Sequence, residues 1–404
     1  MCMKSSKLLI LVTLVLLIMP CIVLAGDDSI STVLAASAIN AFAIDIYKVL
    51  ASEGGNVFFS PYSISAALTM TFAGARGETA TEMANVLRFA GNEDQIHPSM
   101  RKLQNHFDSI TEEQGIIDMA NRLWLERRYE LLPEFTTTVE RYYDAGVESI
   151  DFSRAPNVAL LIINDWIARQ TRDKIKDILS QGTITSSTRL VLTNAIYFHS
   201  VWDNKFDKAN TRDLPFYTGL NEYKLTPMMS NLDTYIYGEN NEMQWIRIPY
   251  NIPNVSMFVI LPRENETFTQ LEVLEKSLTT ESLTRMLSRM RSARVDLQFP
   301  RFKDEQMFSL ASVLSALGMP SAFRPDADFS GIMETEAGLY IDSVVHKAFI
   351  EVDEEGTEAA AATVILIEQT ATTLRKFHAN RPFIYFIYDG QTRTILFMGR
   401  KIEV

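Results

Sequence analysis

The chain has 404 residues, 47% of them hydrophobic and 22% charged, an ordinary globular composition with material for a large core. Its formal net charge of −12 argues against nucleic acid and anionic surfaces as partners. Both cysteines, Cys2 and Cys21, lie before residue 26, so a chain without that leader has no disulfide, no thiol nucleophile and no thiolate metal site.

Lys4 and Lys7 precede an apolar run, 8–24, broken only by Thr13 and Pro20. Val23-Leu24-Ala25 then offers small residues at a cleavage position. Residues 1–25 read as a secretory signal peptide cut after Ala25, and residues 26–404 as a single exported domain. Losing Lys4 and Lys7 takes the net charge to −14. An uncleaved membrane anchor is the weaker reading, given Pro20 and the Val-Leu-Ala site. No other stretch reads as long and apolar enough to span a bilayer, and no membrane partner is expected.

Ile39, Phe42, Ile46 and Val49 mark one apolar helix face. Residues 56–59 form a short apolar strand. Ser60-Pro61 follows as N-cap and first helical residue of a helix over 62–74. Thr79-Ala80-Thr81-Glu82 has the pattern of a capping box. Residues 162–179 are amphipathic, with Ile163, Trp166, Ile167, Ile175 and Ile178 on one side. Strand-like runs come later: "LVLTNAIYF", "MQWIRIPY", "VSMFVILP", "ARVDLQFPRF", "VHKAFIEV" and "RPFIYFIYD". Helices dominate early and strands late, which predicts an α+β domain with large, mainly antiparallel sheets.

The chain has no Gly-rich phosphate loop, no HExxH and no GxSxG, and its five histidines (His97, His106, His199, His346, His378) show no ligand spacing. No cofactor, metal or enzymatic activity is expected. Arg127-Arg128 and Arg101-Lys102 read as solvated surface rather than a polyanion site.

The stretch "EVDEEGTEAAAATVILIEQTATTLRKF" joins small residues to β-branched ones and has no Gly or Pro after Gly356. As a strand it places Thr357, Ala359, Ala361, Thr363, Ile365 and Ile367 on one uncharged face. Glu358, Ala360, Ala362, Val364, Leu366 and Glu368 fall on the other. Gly356 supplies a hinge free to change φ and ψ. Downstream, "EQTATTLRKF" suits an exposed loop open to proteases. From the residues alone, a loop that becomes a strand weighs about equally with a plainer segment, either an edge strand with a polar exit loop or a stretch of Ala-rich helix.

The surrounding motifs decide between them. They are "NVFFSPYSISAALTMTFAGARGETATEM", "LTNAIYFHSVWDNKFD", "LSALGMPSAF", "DADFSGI", "VVHKAFIEVDEEGTEAAAAT", "NRPFIYFIYD" and "ILFMGR". In order and number they resemble the serpin superfamily from about Ile39 to the C-terminus. The resemblance implies one domain with three sheets, about nine helices and an exposed reactive-centre loop near residues 355–378. It implies an inhibitor that traps serine proteases: the protease cuts the loop, the acyl-enzyme forms, and the cut loop inserts into the main sheet.

By the same resemblance Glu354 matches the hinge glutamate. Gly356, Thr357 and Ala359, Ala360, Ala361 and Ala362 match the inserting segment. Arg301 matches the base that pairs the glutamate, and Trp202 the tryptophan at the insertion point. Ser60, Asn194 and His346 match a polar cluster that controls sheet opening. Spacing from Gly356 puts the scissile bond at Thr370–Ala371, while counting back from Pro382 lands on Ala371. A small residue before the cut implies an elastase-like or subtilisin-like partner, held covalently by an inhibitor that is monomeric beforehand. The rival expectation is a non-inhibitory carrier, chaperone or storage protein of the same fold. Asn254-Val255-Ser256 and Asn265-Glu266-Thr267 are N-glycosylation sequons in a chain read as exported.

Overall fold

The structure is a computed structural model and describes residues 27–89, 91–113, 116–143, 146–264, 270–333, 338–357 and 374–404. In chain order the elements are α1 (Asp27–Ser52), β1 (Val57–Phe59), α2 (Pro61–Phe72), α3 (Gly77–Val86), α4 (Glu93–Glu113), β2 (Ile116–Glu126), α5 (Pro133–Tyr143), β3 (Val147–Ile150) and α6 (Pro156–Gln170). They continue with β4 (Leu190–Val201), β5 (Arg212–Gly219), β6 (Glu222–Glu239), β7 (Met243–Pro249), β8 (Val255–Pro262), α7 (Gln270–Ser277), α8 (Thr280–Ser288), β9 (Arg291–Pro300) and β10 (Phe302–Ser309). The last are α9 (Ala311–Leu317), β11 (Ser343–Val352), β12 (Gly356–Thr357), β13 (Arg375–His378), β14 (Phe383–Asp389) and β15 (Thr394–Lys401). The predicted α+β class, with helices early and strands late, is what the chain adopts.

The described strands form two hydrogen-bonded sheets rather than three. The larger runs β1-β15-β14-β8-β7-β6-β9-β13, with β5 on β6. Two of the three implied sheets merge because β6 is long. Its first half pairs with β5, its middle with β9 and its end with β7. The second sheet runs β10-β11-β4-β2-β3, with β12 at one end of β4. Pairing is mostly antiparallel, but β11 and β4, β2 and β3, and β13 and β9 run parallel.

Strand β4 lies at the centre of the second sheet and is buried on both faces. That is why its sequence is a continuous apolar run instead of an alternation. Leu190, Leu192, Ile196 and Phe198 face the main core between the sheets, where α2 also packs. Val191, Ala195 and Tyr197 face a smaller core under α6, with Trp124, Phe152, Ile163 and Ile167. Lys401 donates to Asp304 at 2.8 Å and the Tyr385 hydroxyl to the same carboxylate at 3.0 Å, tying β10 to β14 and β15 of the other sheet.

Three local expectations need correction. The amphipathic helix is Pro156–Gln170, not 162–179. It ends because Arg172 and Asp173 take positive φ and the Thr171 hydroxyl bonds back to the Ile167 carbonyl. Ile175 and Ile178 still reach the same small core, from a turn that folds under the helix. The capping box at Thr79 does not form. Helix α3 starts two residues earlier, at Gly77. Thr79 instead accepts a bond from the Asp328 amide, and Glu82 accepts from the amide and hydroxyl of Ser321. The segment Thr32–Ser52 of α1 is long and apolar enough to cross a membrane, against expectation. Its Ala35, Ile39, Phe42, Ala43 and Ile46 are buried in the main core. The pair Arg127-Arg128 lies exposed on the surface, as expected, and its cations pair with Asp151 at 3.1 Å and Glu126 at 3.0 Å.

Candidate functional site

Ser60, Asn194 and His346 meet under the second sheet. Ser60 caps α2 as expected, accepting from the Ser63 amide at 3.1 Å, and its hydroxyl donates to the Leu396 carbonyl at 2.6 Å. The Ser60 amide donates to His346 Nε2 at 3.1 Å. A backbone N–H can only donate, so Nε2 is an acceptor and the ring proton sits on Nδ1. From there it donates to Asn194 Oδ1. Asn194 Nδ2 donates to Ser63 Oγ at 2.6 Å and to Asn121 Oδ1. Asn121, Asn194 and His346 occupy one register level across β2, β4 and β11. His346 is fully buried, and burial pushes its pKa down to about 3, so it is neutral. Ser63 and Asn121 were not foreseen. Ser63 had a signal, its place three residues past a Ser N-cap; Asn121 had none.

A second cluster lies at the upper end of β4. The β4–β11 pairing stops at Tyr197 and Phe349. Beyond it the chain turns over 353–355, where the Asp353 carboxylate accepts the Glu355 amide at 2.9 Å and the Gly356 amide at 3.2 Å. It returns as β12, antiparallel to β4, with Gly356 opposite Val201 and Thr357 opposite Ser200. Gly356 needs to be glycine on two counts. Its φ is +145°, and a Cβ would collide with the backbone of Ser200, Val201 and Trp202.

Trp202 holds this turn in place. Its indole donates to the Asp353 carbonyl at 2.9 Å, its amide to the Glu355 carbonyl at 3.0 Å, and its ring stacks on Tyr250 at 4.5 Å. Arg301 and Glu354 pair, as the resemblance implied. Glu354 is only 1% exposed and also accepts from the Thr211 hydroxyl at 2.6 Å. Burial raises its pKa, but the Arg301 and Thr211 hydrogen bonds outweigh burial and leave the carboxyl below its ordinary value. Lys205 at 2.9 Å and Lys208 at 3.0 Å hold Glu355, lowering its pKa in turn. Thr211, Lys205 and Lys208 carried no signal in the sequence.

Asn254 sits exposed in the turn between β7 and β8, with φ of 65°. Ala359, Ala360, Ala361, Ala362, Thr370, Ala371, Asn265 and residues 1–25 lie outside the described residues. The chain resumes at Leu374 and enters β13, where Arg375 pairs with Glu239 at 2.8 Å. Among the described residues no group of three or more His, Cys, Asp or Glu is placed to hold a metal ion.

Residues 37–404 match the family described as serpin, serine protease inhibitor. An uncharacterised serpin-like protein of Thermococcus kodakarensis is 40% identical, over 91% of this chain and 85% of its own length. A leukocyte elastase inhibitor of Xenopus tropicalis is 37% identical, over 90% of this chain and 98% of its own. Among solved structures, human thyroxine-binding globulin with its hormone superposes with a TM-score of 0.81 at 28% identity, covering 92% of this chain and 99% of that one.

The buried histidine makes the closed sheet acid-sensitive. In an unfolded chain His346 takes up a proton near pH 6.5; in the native cluster it resists protonation down to about pH 3. Stability is therefore full above pH 6.5 and falls as pH drops through that window, by about 1.4 kcal/mol per unit. His97, lowered by burial to about 4, adds a shorter window of the same sign. The urea midpoint should fall from pH 7.5 to pH 4.5, and His346→Gln should flatten that fall. An unchanged slope in the variant would remove His346 as its source.

Proposed function

Because this chain belongs to the serpin family, whose members inhibit serine proteases, we propose that it is a secreted inhibitor acting by suicide-substrate trapping. The observation that carries this reading is the parallel β4–β11 pair with β12 already seated antiparallel at its upper end. An antiparallel strand entering between two parallel ones can bond to both.

On insertion the register of β12 would be continued along β4. Thr357 lies opposite Ser200, so continuation sets Ala359 against Phe198, Ala361 against Ile196, Thr363 against Asn194, Ile365 against Leu192 and Ile367 against Leu190. All of these β4 residues face the main core side, which suits the uncharged face of the segment. Glu358 and Glu368 fall on the other face, opposite His199 and Arg189. The alanines would enter between the strands first, and the larger isoleucines would follow into the core below.

Insertion breaks seven parallel register pairs and forms two ladders along the new strand. The net gain is about a dozen hydrogen bonds, on the order of 10 kcal/mol at 0.5–1.5 kcal/mol each. That matches the stability of a typical domain. It is enough to deform an acyl-protease and remove the oxyanion hole it needs for deacylation. The native form is therefore kinetically held above its inserted state.

Cleavage at Thr370–Ala371 would leave an inserting arm from Gly356 that reaches the lower end of β4. A small residue before the cut favours elastase-like or subtilisin-like proteases, consistent with the relative named for leukocyte elastase. A second reading, a carrier of the same fold, draws on the hormone-bound structural relative. Against it stands the run of small residues from Thr357 to Ala362.

Incubation with elastase-like and subtilisin-like proteases should give a covalent band stable in SDS, and Thr357→Arg should abolish it while leaving the loop cleavable. A wild-type protein that is merely cut by every protease would transfer the function to the carrier reading. Cleavage at Thr370–Ala371 by a non-target protease, located by mass spectrometry, should raise the melting temperature sharply. A nick in an ordinary exposed loop leaves stability unchanged or lowers it, so a cleaved form melting no higher than the intact one would mean the segment does not insert. The exported protein should start at Gly26 and lose mass at Asn254 and Asn265 on glycosidase treatment. A retained leader or an unchanged mass would remove the corresponding part of the proposal.

A further inference from the structure

With the cut at Thr370–Ala371, five residues carry the chain from Thr370 to Arg375, the first residue of β13. Fully extended they reach at most about 18 Å, while the arm from Thr357 to Thr370 reaches about 45 Å. A protease domain of ordinary size is about 40 Å across. A protease seated on that bond is therefore tied closely to the start of β13, with the side that binds residues after the cut turned toward it.

Three strands meet there. β13 pairs with β9 from Arg375, opposite Val295, and β9 pairs with β6 as far as Arg291, opposite Tyr237. Between them lies a cleft of about 320 Å³, with Tyr237 and Gly238 buried and Arg291, Ser292 and Arg375 exposed along it. Glu239, also in the cleft, pairs with Arg375 at 2.8 Å and with Arg263 at 2.6 Å, and accepts from the Tyr237 hydroxyl at 2.8 Å. Burial raises the Glu239 pKa, but the bonds from Tyr237 and Arg263 and the charge of Arg375 outweigh it, so the carboxylate stays ionised and keeps Arg375 in place. Arg291 is fixed from its own side, its Nη1 donating to the Ser288 carbonyl at 3.0 Å and the Met290 carbonyl at 2.6 Å. A cation at the end of α8 suits the helix dipole, which accounts for Arg291 but not for Arg375 across the cleft. By sequence the run 369–374 carries no charge, and the glutamates of the loop, Glu358 and Glu368, both precede the cut and leave with the inserting arm.

We propose that this cleft is a docking surface for the protease held on the loop, receiving an acidic side chain from the protease surface that flanks the residues after the cut. A carboxylate between Arg291 and Arg375 would continue the alternation of cation and anion that Glu239 begins with Arg263 and Arg375. The whole chain, at −12, repels an acidic partner at long range, so a preference for one has to come from the local surface. The docking surface rests on the trapping reading but acts on a different quantity. It sets how fast the complex forms and with which protease, whereas loop insertion sets whether the protease is held.

The test measures the association rate and the stoichiometry of inhibition of the full chain with subtilisin, unmodified and succinylated on its lysines, at about 0.02 M and 0.5 M salt. The succinylated protease should associate at least fivefold faster at low salt, with the advantage lost at high salt. Arg291→Glu should abolish that advantage and Arg375→Gln reduce it at least twofold, with stoichiometry unchanged in both. Arg324→Glu makes the same change of net charge from an exposed position near the lower end of β4, where Ile341 donates to the Ala322 carbonyl and Asp342 to that of Leu190. It should leave the advantage intact. A succinylated protease that associates no faster, an advantage that survives Arg291→Glu, or an equal loss in Arg324→Glu would each overturn the docking surface while leaving trapping in place. Absence of any SDS-stable complex with either form of the protease would instead remove the trapping reading, and the docking surface with it.

Discussion

The direct parallel contact between β4 and β11 is the constraint on which the rest of the molecule depends. It closes a sheet whose two strands run in the direction that leaves room for a third, antiparallel strand between them. A parallel pair usually has a helix crossing over it. Here α6 covers one face and the α2 core the other, so the pair is buried but not bridged. Opening it means separating two packed strands without unfolding either, which sets a barrier rather than a slope.

Beneath the pair lies a polar chain in a dry place. Ser60, Ser63, Asn121, Asn194 and His346 bond one another across α2 and three strands. Such a network is strong when every member is satisfied and costly when one is lost. The neutral His346 matters because it both accepts from α2 and donates to β4, bonds an imidazolium could not make together. The same group that ties α2 to β4 thus exposes the cluster to acid.

The upper end is held by charge and shape. The buried Glu354 meets the exposed Arg301 and the half-buried Thr211 at the corner from which the chain turns back at Gly356, and Trp202 braces that turn through its indole and its amide. In the proposed mechanism this corner directs the first inserted residues. No rearrangement is needed to start, because Gly356 and Thr357 are already in register on β4.

Much of this was legible in the residues. Ser60-Pro61 named its own cap, and the apolar runs named β4, β7, β8, β11 and β14, since a strand buried on both faces leaves an unmistakable run. The period-two split of residues 357–368 into an uncharged face and one bearing both glutamates is a reading of the chain alone, since 358–368 lie outside the described residues. Other features depended on partners distant in sequence. Strand β6 carries Pro227 and mixed polarity, and only pairing with β5, β9 and β7 makes it one strand. The helix α6 stops where Thr171 caps it and two residues take positive φ, which no hydrophobic period encodes. Thr79 and Glu82 have the letters of a capping box, but the tertiary fold offers them Asp328 and Ser321 instead. Asn121 is an ordinary strand residue until β2 lies beside β4. The sequence by itself determined the buried strands β4, β8, β11 and β14 and the apolar face of α1, because those follow from local periodicity. The tertiary structure decided which polar side chains meet, because a hydrogen bond is made only where the packed backbones bring its two ends within about 3 Å.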